Sequence, residues 1–222
     1  MVLNSWMAWF SEDKKMKHLF RKIIRNNPSL ELFLQLFSPR LKAIKGDLQS
    51  VHDQYRSSQG ANTTALDLGC GLDPSNRFGA TEVFGIDLHE NQKKRILKCR
   101  LGFERLPFPD EYFDYVTAYD LLEHIPRYSD IKEIGHTPFI FLMNETYRVL
   151  KKGGKFVSST PIYPYLGAFQ DPTHNNIMTE HTFEYYFSQT KFDIAKHYGI
   201  NTDYEILHQG MLGQHLVAVL QK

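Results

Sequence analysis

The stretch ALDLGCGLDPSNRFGATEVFGID, Ala65 to Asp87, joins a short apolar strand, a Gly-x-Gly turn and a second apolar strand that ends in an acid. Gly69 and Gly71 lack Cβ atoms, so the backbone turns sharply there and lets a ligand approach closely. An acid about 20 residues beyond the first strand accepts hydrogen bonds from ribose hydroxyls. The layout predicts a nucleotide-cofactor pocket in an α/β chain.

Two residues discriminate among nucleotides. Pro74 stands where the dinucleotide fingerprint wants a third small residue, and proline cannot sit deep in a helix packed on the strand, which argues against NAD or FAD. Asp67, two residues before Gly69, would face a pyrophosphate with like charge but attracts a cation. S-adenosylmethionine, which carries a sulfonium and an ammonium, fits that charge.

Asp67-Leu68-Gly69-Cys70-Gly71 resembles the first motif of the class I S-adenosylmethionine-dependent methyltransferases, of the type 11-like kind, and Gly85-Ile86-Asp87-Leu88 resembles their second. Further matches follow in the family's order: Glu104-Arg105-Leu106-Pro107-Phe108-Pro109-Asp110, Phe113-Asp114-Tyr115-Val116, Leu121-Leu122-Glu123-His124-Ile125, and Glu145 through Gly154. The resemblance runs roughly from Thr64 to Thr160. It implies a Rossmann-like α/β fold with a mostly parallel seven-stranded sheet, helices on both faces and an N-terminal helical extension. It also implies that Gly69 and Gly71, with Asp67 and Cys70 beside them, line the methionine portion of the cofactor. Asp87 and Leu88 would hold the ribose side, and Tyr119 and Asp120 would lie near the sulfonium. Relatives often carry an acid for the adenine amino group just before Glu104. Here Gly102-Phe103 stands there, so backbone groups of Phe103 and Glu104 are expected to read the adenine edge.

Composition agrees with one catalytic domain. With 222 residues, 42% of them hydrophobic, the chain can bury a substantial core, and a formal net charge of +1 argues against a globally basic nucleic-acid binder. Its two cysteines, Cys70 and Cys99, make neither a disulfide framework nor a metal cluster, so a cytoplasmic setting is expected. No signal peptide or membrane-spanning run is read from the sequence.

Residues 1–60 read as a helical extension or lid and 61–222 as the cofactor-binding domain. Met16, Leu19, Phe20, Ile23 and Ile24 share one helical face opposite several lysines. That face either packs on the domain or meets a membrane surface or partner, and Trp6, Trp9 and Phe10 keep the membrane reading alive. A second apolar segment, Leu30 to Phe37, follows a stop and cap at Asn26 to Ser29. In the core, strands are expected at Ala65 to Leu68, Glu82 to Ile86, Arg95 to Leu101, Tyr112 to Ala118 and Lys155 to Thr160, with a helix over Thr137 to Leu150. An antiparallel pair, Glu205 to Gln209 and His215 to Leu220, closes the sheet. The turn-rich run Leu72 to Gly79 predicts a shortened or irregular first helix. Asp120 has a second reading, as the cap of a helix near Leu121.

The run Thr160 to Asn176 leaves the fifth strand and is rich in aromatic and polar side chains, as a substrate-covering loop around 160–182 would be. Tyr163, Tyr165 and His124 are the expected acceptor contacts, although helix packing is the plainer reading of His124. Asp171-Pro172-Thr173-His174 resembles a segment of family members linked to surface-sugar biosynthesis. His174 is then a candidate general base oriented by Asp171, and an ordinary turn is the plainer reading. Asp171, His174 and His181 have no recognised metal-ligand spacing, so no metal is expected. The expectation is methylation of a small polar acceptor, foremost O-methylation of a sugar or glycan precursor. The alternatives are a quinone, lipid or other small-molecule methyltransferase near a membrane, and a catalytically silent cofactor-binding protein. No nucleic-acid partner is expected, and the sequence is silent on oligomeric state.

Overall fold

The computed structural model describes residues 43–56, 62–129, 137–188 and 193–222. They belong to one compact unit, Leu41–Lys222. The amphipathic stripe from Met16 to Ile24, the upstream aromatics and the segment Leu30 to Phe37 lie outside the described residues.

Seven strands form one sheet: β1 (Thr64–Leu68), β2 (Glu82–Asp87), β3 (Ile96–Lys98), β4 (Phe113–Tyr119), β5 (Leu150–Pro161), β6 (Glu205–Leu212) and β7 (His215–Gln221), in the order β3-β2-β1-β4-β5-β7-β6. β3, β2, β1, β4 and β5 pair in parallel, while β7 runs antiparallel to both β5 and β6. This is the predicted topology. β3 is shorter than the expected Arg95 to Leu101: it ends at Lys98, and it starts one residue late because Arg95 adopts a left-handed conformation (φ 54°) that closes the 3-10 turn Gln92–Lys94.

The central strands are covered on both faces, as parallel strands usually are, and the pleat sends alternate residues to opposite sides. Leu66, Leu68, Val116, Ala118, Phe156 and Ala218 enter the larger core with helix α2, after α1 (Leu48–Tyr55), running Pro138–Val149. Its buried Phe139, Leu142, Met143, Thr146 and Val149 form one stripe, and Pro138 sits at the first turn, where a missing N–H costs nothing. Ala65, Tyr115, Val157, Val217 and Val219 enter the smaller core with Val51 of α1. α1 begins with a capping box in which Asp47 and Ser50 satisfy each other's backbone donors. It lies before residue 61, where the cofactor-binding domain was expected to begin.

No helix joins β1 to β2. Asn76 instead bridges the turn through its side chain to both backbone groups of Ala80, at 2.7 and 3.0 Å. Phe78 from that turn stacks on Tyr115 with ring centroids 4.0 Å apart, filling with α1 the space a crossover helix would take. The helix irregularity expected from the turn formers is therefore complete. A short helix α3 (Thr182–Tyr186) follows the loop leaving β5, with His181 at its N-cap position. Among the described residues no helix is long and apolar enough to cross a membrane.

Candidate functional site

Strand register sets the site. Leu68 pairs with Ile86 on one side and Ala118 on the other, and Tyr119 pairs with Ser159. Gly69, Asp87, Tyr119 and Thr160 therefore arrive together at the carboxyl edge of the sheet, where open α/β sheets bind ligands.

The turn after β1 is hung on β2, since the N–H groups of Gly69 and Cys70 both donate to the Ile86 carbonyl, at 2.8 and 3.1 Å. Gly69 and Gly71 have φ of +66° and +61°, which L side chains rarely adopt. A Cβ on Gly71 would meet nothing within 4 Å, so its backbone faces open space. Gly85 instead makes room beneath the turn, because a Cβ there would come within 2.4 Å of Cys70 Sγ and 2.8 Å of Pro74 Cγ. Pro74, which argued against a dinucleotide, is thus packed under the turn.

Asp67 is buried beneath this turn. It accepts the Ser75 N–H at 2.8 Å and the Thr117 hydroxyl at 2.7 Å, and burial pushes its pKa up. Asp87 accepts the Gly71 N–H at 3.0 Å across the turn and the His89 N–H at 3.3 Å. Leu88 beside it is exposed. Burial raises the Cys70 thiol to about 12, which disfavours its thiolate form. The turn offers an open glycine face and two carboxylates, neither of them paired with a lysine or arginine among the described residues, and that suits a cation bearing a ribose. It suits a pyrophosphate poorly. The open backbone at Gly71 and the Asp87 carboxylate are compatible with S-adenosylmethionine, while Asp67, buried with both oxygens bonded, braces the turn from beneath.

At the expected adenine subsite the backbone N–H groups of Phe103 and Glu104 both donate to the Arg100 carbonyl, each at 2.9 Å. The Glu104 carboxylate accepts the Arg100 N–H at 2.7 Å, and the Arg100 guanidinium lies 4.1 Å from the centre of the Phe103 ring. At the end of β4, Tyr119 spends its hydroxyl on buried His52, 2.5 Å away. His52 Nδ1 faces the Leu48 carbonyl at 2.6 Å and must carry the proton, so Nε2 accepts from Tyr119. Asp120 has φ of +45° and does not cap the following 3-10 helix Leu122–His124. It instead accepts from His215 Nε2 at 2.9 Å, and that bond raises the His215 pKa.

The second half of the edge, between β4 and β5, gathers Glu123, His124, Asp171, Thr173 and His174. Asp171 lies 3.9 Å from His174, beyond hydrogen-bond range, and accepts both donors of Thr173 instead, at 2.8 and 2.7 Å. Those bonds lower the Asp171 pKa. The Thr173 oxygen in turn lies 3.0 Å from His124 Nδ1. Buried Glu123 accepts from Thr160 at 2.7 Å, and burial raises its pKa. Its carbonyl takes the N–H groups of Asn175 and Asn176, which ties the loop to the turn after β4. Tyr163 is partly exposed, whereas Tyr165 packs against the main core.

Sequence reading missed His52, Thr117, Thr173 and His215. Thr173 lay inside the quoted run Asp171 to His174 but was given no role there; the others had no local signal. The tract Glu104 to Asp110 has a structural explanation. Arg148 donates to Glu145 and Asp110 and to the carbonyls of Leu106 and Phe108, and the Leu106 N–H returns to Glu145.

Residues 66–158 match the family described as the methyltransferase domain. Over 178 residues the chain is 26% identical to the demethylmenaquinone methyltransferase of Geobacillus sp. (strain WCH70), covering 72% of this chain and 68% of that one. Over 174 residues it is 28% identical to the demethylmenaquinone methyltransferase of Oceanobacillus iheyensis, covering 70% and 66%. The chain thus spans about two thirds of the length of these relatives. A crystal structure of an S-adenosylmethionine-dependent methyltransferase from Mesorhizobium loti shares the fold, with a TM-score of 0.51, 15% identity, and coverage of 78% of this chain and 96% of that one.

Proposed function

We propose that this chain, whose residues 66–158 match the methyltransferase domain family, is an S-adenosylmethionine-dependent methyltransferase of a small acceptor with an apolar ring, of the quinol type. The relatives named for demethylmenaquinone support this acceptor class. The observation that carries it is the loop leaving β5, where Leu166 and Phe169 are 70% and 51% exposed and Tyr163 is partly exposed beside them. Large apolar side chains held in solvent next to a ligand-binding edge fit a ring or hydrocarbon partner better than a sugar. The comparisons lend no support to the sugar or glycan acceptor read from Asp171 to His174.

When bound, S-adenosylmethionine supplies an electrophilic methyl carbon on a sulfonium. Asp67, Gly69 and Gly71 would hold its charged end and Asp87 its ribose. The chain's own contribution is alignment: the register of β1, β4 and β5 sets the acceptor mouth beside the cofactor turn. His124 and His174 stand at that mouth, where an acceptor hydroxyl has to lose its proton, and Asp171 keeps negative charge there.

The test is incubation with S-adenosylmethionine and either reduced demethylated naphthoquinones or nucleotide sugars, with products read by mass spectrometry. A methyl added to the quinol, and lost in Asp87→Ala, supports the reading. Transfer to the sugars without transfer to any quinol would overturn it.

A further inference from the structure

One donor atom from each of Glu123, His124 and His174 lies within 4.8 Å of the other two. Glu123 and His124 come from the turn after β4, and His174 comes from the loop after β5. We infer that these three side chains form a binding site for one divalent first-row transition-metal cation at the acceptor mouth. This goes beyond the methyl-transfer reading, and the site stands on the cluster alone.

His124 is presented in the form a metal needs. The Thr173 hydroxyl has one hydrogen, and it points to the Asp171 carboxylate, 2.7 Å away. Toward His124 Nδ1, at 3.0 Å, Thr173 can only accept, so Nδ1 carries the proton and Nε2 keeps its lone pair. A ligating histidine whose other nitrogen donates to an oxygen held by a carboxylate is a recurrent arrangement around metals.

His174 supplies the second observation. Its side chain is only 8% exposed, and its Nδ1 has no hydrogen-bond partner among the described residues. An unpaired buried polar atom is costly, and the ring's edge-on contact with His124, centroids 4.8 Å apart, does not satisfy it. Glu123 is 2% exposed and has, among the described residues, a hydrogen bond from Thr160 but no ion pair with lysine or arginine. Buried carboxylates are ordinarily paired or ligate a metal. The loop is also fixed in place: Asn175 and Asn176 donate to the Glu123 carbonyl at 2.8 and 3.0 Å, and Asn176 Nδ2 donates to the Leu122 carbonyl at 3.1 Å.

Two imidazoles and one carboxylate suit Zn²⁺, Mn²⁺ or Fe²⁺ better than Ca²⁺ or Mg²⁺. Tetrahedral zinc with bonds of about 2.0–2.1 Å holds its donors ~3.4 Å apart, so small side-chain movements close the set. Three protein ligands leave a position for an acceptor oxygen. On the methyl-transfer reading, the cation would acidify that hydroxyl while the imidazole lone pairs stay occupied.

The test is calorimetric titration of the full, chelator-treated chain with Zn²⁺ and Mn²⁺, together with the visible spectrum of the Co²⁺ form. One cation per chain is expected. His124→Ala and His174→Ala should each weaken it about 100-fold and erase the Co²⁺ bands, while His197→Ala, on the exposed 3-10 helix Asp193–Tyr198, changes neither. Retained S-adenosylhomocysteine binding shows that the variants are folded. Absence of saturable binding, or equal binding by the double variant His124→Ala/His174→Ala, overturns the site. The methyl-transfer reading fails on a separate readout, the product assay with quinols.

Discussion

At the β1–β2 end of the sheet, one strand-turn-strand unit supplies Asp67, Gly69, Gly71 and Asp87, and each is fixed by backbone bonds within that unit or by adjacent β4. At the β4–β5 end, Asp120, Glu123, His124, Thr173, His174 and His215 come from three separate segments, and several remain partly exposed. The first region is a rigid cradle whose chemistry is set by the turn. The second is an assembled wall whose chemistry depends on how a loop seats. Damage to the first should therefore appear in stability and cofactor affinity together, and damage to the second mainly in reactivity.

Asp67→Ala would press that comparison hardest. It strands the Ser75 N–H and the Thr117 hydroxyl in a buried setting, and a loss of about 3 kcal/mol is expected from urea unfolding, with cofactor affinity falling alongside. A stable variant with intact affinity would show that the cradle is not the rigid unit described. Gly85→Ala should cost less, about 2 kcal/mol, because its Cβ drives into Cys70 and Pro74 from below the turn. The same unfolding measurement checks it.

At the other end, Asp120→Asn should act weakly and through pH. The His215 pKa is raised in the folded chain by its bond to Asp120, so the contribution is fully present below the unfolded histidine value of about 6.5 and is lost as pH rises through the raised folded value. Asp120 is exposed and His215 partly so, and solvent screening holds the effect under about 1 kcal/mol. Unfolding free energies at about pH 6 and about pH 8.5 should differ in the parent and converge in Asp120→Asn. A parent curve without that slope would remove the pair from the account.

The same contrast explains what could be read from the sequence. The sheet was legible because each strand announces itself locally, and the cofactor turn because its residues are neighbours in the chain. That the first helix would be shortened or irregular was legible in Pro74, Asn76 and Gly79, though its complete absence was not. The start of β3 was less visible, since nothing local to Arg95 signals its left-handed turn. At the acceptor edge, His174 and Asp171 drew attention, but their separation and the bridging by Thr173 arise from loop packing. His52 and His215 lie far along the chain from the residues they bind. The commitment of Tyr119 to His52 depends on where α1 lands, which no local pattern encodes.

The most direct test of the division between cradle and wall is titration of S-adenosylhomocysteine into the parent chain, Asp87→Ala and His174→Ala, with methyl transfer followed in parallel. Asp87→Ala should weaken binding about 100-fold, the loss of charge-assisted hydrogen bonds worth about 3 kcal/mol. His174→Ala should bind within about threefold of the parent while losing methyl transfer. Equal weakening by both variants, or undiminished binding by Asp87→Ala, would contradict the account.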